Sequence, residues 1–173
     1  VTLPVRRVVG VLALALALVT AGCGSLETNR AATVDGRVIS ETEVQSVMSE
    51  FNGMSQPRLD PLTPATTLSL LLQARPALQF FDEHGVVASD SVAEQDAQSR
   101  GVADPSPATI EALRFLDSLQ QASDSGKFTQ ADQQELVQKI ASQKVEVNPR
   151  YGTFDPTNIS VQATQPDWIT PAS

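Results

Sequence analysis

Apolar positions along this chain recur with different periods, and each period predicts a different element. From Val8 to Val19 every residue except Gly10 is apolar, a run with no polar face. Further on, Thr33-Val34 and Arg37-Val38 flank Asp35-Gly36, a dipeptide suited to the positive backbone angles of a tight turn. A short strand or hairpin is expected there. Ser40-Glu41-Thr42-Glu43 follows with capping-box spacing. The Ser40 hydroxyl accepts from the Glu43 amide, and the Glu43 carboxylate accepts from that of Ser40. Ile39 and Val44 then form a hydrophobic staple. Val44, Val47, Met48 and Phe51 recur at i, i+3, i+4 and i+7, one face of an amphipathic helix that Gly53 ends.

Beyond a loop punctuated by Pro57, Pro61 and Pro64, the run TTLSLLLQARPALQFFDEHG is the most apolar part of the chain after residue 22. Leu71, Ala74, Leu78 and Phe81 share a helical stripe, and the chain leaves at Gly85. Pro76 cannot donate to the Leu72 carbonyl, so a kink or two consecutive helices is expected. Val86 to Arg100 reads as a short polar helix capped by Ser89 or Ser91. Ser106-Pro107 opens a fourth helix with a buried face of Ala112, Phe115, Leu116 and Leu119, Ile110 and Leu113 lying beside it. Thr129 and Asp132 open a fifth, with Leu136, Val137 and Ile140 on its apolar side. Lys144 to Asn148 switches to a period of two, a strand signal ending at Pro149. The order is strand, helices, strand, and the two ends are able to pair. From Pro156 onward, residues rich in Thr, Gln, Asn and Pro read as a flexible tail over 156–173.

The first apolar run has another meaning. Arg6 and Arg7 precede it, and Thr20, Ala21 and Gly22 follow it, the order of a secretory signal. It is shorter than the roughly 20 residues a spanning helix needs. V-T-A-G-C resembles the bacterial lipobox, with Thr20 where that family usually has Leu. The resemblance implies cleavage after a signal peptide of residues 1–22 and a diacylglyceryl group on Cys23, at the head of a lipidated tether over 23–31. An ordinary signal peptide with an unpaired cysteine is the alternative. Loss of Arg6 and Arg7 takes the formal charge from −8 to −10, which disfavours nucleic acid and anionic lipid alike. Attachment to the membrane then falls to the two acyl chains. With a single cysteine there is no internal disulfide, so packing alone stabilises the fold.

Candidate chemistry is thin. His84, in FFDEHG, sits where a donor meets the carbonyls at a helix end, and no Ser, Asp or Cys constellation accompanies it. Asp90, Glu94 and Asp96 read as a solvated helix face rather than a metal site. No phosphate-binding glycine loop, nucleophile elbow or HExxH pattern is present. Tyr151 and Phe154 read as core cover, and Trp168 as an exposed anchor for a partner or as nothing at all.

AATVDGRVISETEV resembles the opening of the SurA/PrsA-type N-terminal chaperone domain, and VEVNPRYGTFDP resembles the end of SurA-like lipoproteins of actinobacteria. The resemblance implies a mainly helical domain over 32–155, with a small β element pairing its N- and C-terminal strands. It implies an extracytoplasmic lipoprotein, anchored to the outer face of the cell membrane, that binds unfolded or extended exported polypeptides as a chaperone or foldase-like holdase. The alternative is a scaffold that docks one folded envelope partner. Parvulin isomerases of this family use a histidine pair, whereas this chain has one histidine, so no catalytic residue, metal or cofactor is expected. Apolar helix faces are more numerous than one small core requires. Phe51, Leu72, Phe81 and Phe115 are therefore expected to line a peptide-binding groove.

Overall fold

The computed structural model describes residues 29–126 and 128–164. The expected signal segment, Cys23 and Trp168 lie outside them. The fold is mainly helical, with a small antiparallel sheet that joins the two ends of the described chain. Strands β1 (Arg30–Val34) and β2 (Arg37–Ser40) form a hairpin. Both residues of its turn have positive φ, 48° at Asp35 and 85° at Gly36, as a tight two-residue turn requires. The predicted capping box then starts α1 (Glu41–Asn52): the Ser40 amide donates to Glu43 Oε2 at 2.7 Å, and the Glu43 amide to Ser40 Oγ at 3.1 Å. Val44, Val47 and Phe51 are buried along one side.

Helix α2 (Pro64–Glu83) is the centre of the molecule. It is one helix, not two, and Pro76 lies buried within it. Proline leaves the Leu72 carbonyl without its helical donor. Gln143 supplies another, its Nε2 donating to Leu72 O at 3.3 Å. The lost bond is thus replaced from a distant segment, and of the two expected outcomes, a kink or two consecutive helices, the second does not occur. Helix α3 (Asp90–Ser99) is capped by Ser89, α4 (Pro107–Asp124) by Ser106, and α5 (Gln130–Ala141) by Thr129. In each case the cap hydroxyl accepts from the amide three residues on.

Strand β3 (Val145–Val147) returns to β1 with Ala32 opposite Val147 and Val34 opposite Val145, so the sheet order is β2-β1-β3. Asn148 extends the pairing, its amide donating to Ala31 O at 2.8 Å and its Nδ2 to Arg30 O at 2.9 Å. The expected tether over 23–31 therefore ends too late. Arg30 and Ala31 already belong to β1, and Ala31 is fully buried.

The tail expected from Pro156 also needs correction. Strands β4 (Thr153–Asp155) and β5 (Ser160–Gln162) form a second hairpin. Val161 enters the core, and its amide donates to the buried Ser69 Oγ of α2 at 2.8 Å. Gln73 Nε2 donates to Ile159 O at 2.9 Å. Gly152, at φ 125°, lets the two strands meet: a Cβ there would lie 1.9 Å from Gln162 O. Tyr151 is buried and Phe154 packs against the core, both as expected.

Candidate functional site

The four residues expected to line a groove do not share one. Phe51, Leu72, Phe81 and Phe115 are all buried members of the core. Phe51 touches only a crevice of about 90 Å³ under the proline loop, and Leu72 a cleft of about 230 Å³ beside Pro76. They sit on the faces that the fold covers first, so the apolar excess appears elsewhere.

It appears between α4 and α5. Both helices pack against α2, yet they barely touch each other although only a short loop joins them. Phe128, at the foot of α5, sits where they diverge. Its ring packs against Phe80 and Phe81 at centroid distances of 6.1 and 5.9 Å. The result is a groove of about 550 Å³, with Leu116 and Leu119 on one wall, Leu136 and Val137 on the other, Phe128 between them and Leu59 of the proline loop at one side. Leu119 and Val137 remain 39% and 44% exposed. Ala112, Phe115, Leu136 and Ile140 are buried as periodicity predicts, and the correction concerns Leu119 and Val137. On α4 the covered side is Ala108, Ala112, Leu113, Phe115, Ser118 and Ala122, and Leu119 has turned outward.

Each wall is held by polar contacts. Helix α5 is tied to the end of α2 by Lys139 and Glu83 at 2.9 Å and by His84 Nε2 and Asp132 Oδ1 at 3.9 Å. His84 caps α2: its ring stacks on Phe80 at 4.1 Å, and Nδ1 donates to Phe80 O at 2.8 Å. The expected helix-end role of this residue is what its contacts describe. Asp132 accepts from the Thr129 amide and hydroxyl, both at 2.8 Å. These bonds hold its carboxyl below the usual carboxylate range.

The proline loop is fixed by Arg58, which pairs with Asp117 of α4 and with Asp96 of α3 at 3.4 Å. Arg100 reaches the same Asp96 at 2.9 Å and donates to Gln56 O at 2.6 Å. Asp96 is thus a structural anchor rather than part of a solvated acidic face, and Asp90 pairs with Arg114 at 2.8 Å. Of the three α3 carboxylates that looked loose in the sequence, Asp96 and Asp90 pair with arginines, while Glu94 is exposed and accepts from Gln98 Nε2 at 3.4 Å, as on a solvated face.

Chemically, the groove offers an apolar floor with a polar rim. Among the described residues that line it, Arg58 is the one ionisable side chain, and two carboxylates already neutralise it. Gln120, Ser123 and Gln133 complete the rim, offering both donors and acceptors over an apolar floor. Periodicity could not have marked Leu59 or Phe128, which lie in loops. The signal for Leu116 and Leu119 was an apolar arc on α4 too wide for a single covered face. Among the described residues, no group of three or more His, Cys, Asp or Glu is placed to hold a metal ion, and no helix is long and apolar enough to cross a membrane. No family model matches this chain, and neither the curated proteins nor the solved structures contain a match to it.

Proposed function

We propose that this protein is a membrane-anchored lipoprotein that binds unfolded or extended exported polypeptides in the groove between α4 and α5, as a holdase. The observation that carries the reading is the splay of the two helices, which leaves Leu116, Leu119, Leu136 and Val137 around one open groove. An extended segment brings apolar side chains that need a dry surface and a backbone that needs both donors and acceptors. The floor meets the first need and the carboxamide rim the second. With the charge of Arg58 neutralised, the groove selects for apolarity rather than for a particular sequence. The lipobox-like V-T-A-G-C supports an anchor at Cys23, on the outer face of the membrane. The resemblance of the two chain ends to SurA-type chaperone domains supports a polypeptide as the ligand.

The test uses the full chain in lipid nanodiscs, with empty discs as control. A panel of neutral, aromatic-rich peptides should bind weakly, and aggregation of a denatured client should slow without nucleotide. No binding and no suppression by folded protein would favour the scaffold reading, in which one folded partner binds tightly. For the anchor, wild-type protein should partition into membranes and Cys23→Ala should remain uncleaved or soluble. A soluble wild type with a free thiol would remove the lipoprotein reading.

A further inference from the structure

A second cleft, of about 750 Å³, runs along the other flank of α4. Gln120 lines both, so the exposed ridge of α4 divides one binding face into two channels. Their chemistry differs. The first is apolar on both walls. The second has an apolar strip, Val87, Ala88 and the 51% exposed Val92, that ends in carboxylates. Of the charged groups around it, Asp117 is paired with Arg58 and Asp90 with Arg114. Asp124 is exposed, has no ion-pair partner among the described residues, and accepts only a neutral bond from Gln120 at 2.8 Å. It stands in the last turn of α4, and that turn carries no basic residue. The carboxyl end of a helix dipole therefore adds its partial negative charge to that of Asp124.

We infer that the second cleft receives a lysine or arginine side chain of the bound polypeptide, while an apolar residue of the same segment fills the first groove. This rests on the polypeptide-binding reading of that groove. A long cationic side chain matches the strip in both parts, its methylene stem lying over Val87 and Val92 and its head at Asp124. The spacing follows from the ridge between the channels. A helix with its side chains is about 10 Å across, and an extended chain advances about 3.3 Å per residue. The apolar and basic residues are thus about three positions apart.

Three labelled peptides test this by fluorescence anisotropy against the full chain in nanodiscs. They are identical except three residues beyond a phenylalanine, where they carry lysine, norleucine or glutamate. The lysine peptide should bind about five-fold tighter than the norleucine peptide, as a partly exposed ion pair plus a helix-end dipole allows. The glutamate peptide should bind weakest, and the lysine preference should shrink as salt rises. In Asp124→Lys the ratio of lysine to norleucine affinity should fall below one. Equal binding of all three peptides, or a lysine preference that survives Asp124→Lys, overturns the inference alone. Binding by none of them overturns the polypeptide-binding reading and the inference with it.

Discussion

Helices α2 and α4 are of similar length and both rich in apolar residues, but the molecule uses them differently. Around α2 lie α1, α4, α5, β1 and β5, and even its Ser69 and Thr67 are buried. Helix α4 is covered on the side facing α1, α2 and α3, while its outer side, with Leu119, Gln120 and Asp124, is open. An apolar side chain on α2 stabilises the fold, and one on the outer side of α4 stays exposed, which on the proposed function leaves it to a ligand. The difference separates stability from binding, and substitutions on the two helices should separate them as well.

The largest effect is expected at Phe80, whose ring contacts Phe81, His84 and Phe128 from a fully buried position. Phe80→Ala should cost about 3–5 kcal/mol in a denaturant melt. A cost near that of a surface substitution would mean that α2 is not the centre of stability. Next comes Ser69→Ala, which strands the buried Val161 amide and should cost about 1–3 kcal/mol. Ending the chain after Pro156 should destabilise it more than ending it after Thr164; equal melts would put the second hairpin outside the cooperative unit. Gln143→Leu removes the replacement donor at Leu72 O, with a loss of about 1 kcal/mol. On α4 the pattern should invert. Leu119→Ser should leave stability within about 0.5 kcal/mol while weakening every apolar peptide. Unchanged peptide affinity would move the binding site away from the groove.

The smallest effect is local and depends on acid. The folded pKa of Asp132 lies below its ordinary value of 3.8, chiefly through the Thr129 amide. A carboxyl depressed by folding stabilises the fold above its unfolded pKa, and that contribution is lost as pH falls through the folded value. Amide exchange in the first turn of α5 should therefore rise below about pH 3.8, before α2 responds. Asp132→Asn should flatten the dependence, and a wild-type profile equally flat would show that this cap does not hold the groove wall.

The starts of α1, α4 and α5 were legible because their cause is local, whereas α2 begins at Pro64, capped by Thr63, inside the stretch expected to be loop. Ser40, Ser106 and Thr129 each satisfy an amide three residues away, so spacing in the chain is spacing in space. The Asp35-Gly36 turn was legible for the same reason. The second hairpin was not: its turn places Ile159 at φ 45°, a conformation that a β-branched residue disfavours, with its carbonyl held by Gln73, 86 positions away. The replacement donor at Leu72 was equally hidden, since Gln143 lies in another segment.

The sequence by itself determined where α1, α4 and α5 begin, where the first hairpin turns and that strands near the two ends of the described residues are able to meet. Periodicity also showed more apolar surface than a small core needs. It could not say which part stays uncovered, because burial is a relation between elements rather than a property of one. Phe51, Leu72, Phe81 and Phe115 were the natural candidates for a groove by size, and packing around α2 consumed all four. Only the tertiary structure, by spreading α4 and α5 around Phe128, decided that Leu116, Leu119, Leu136 and Val137 would face the open groove.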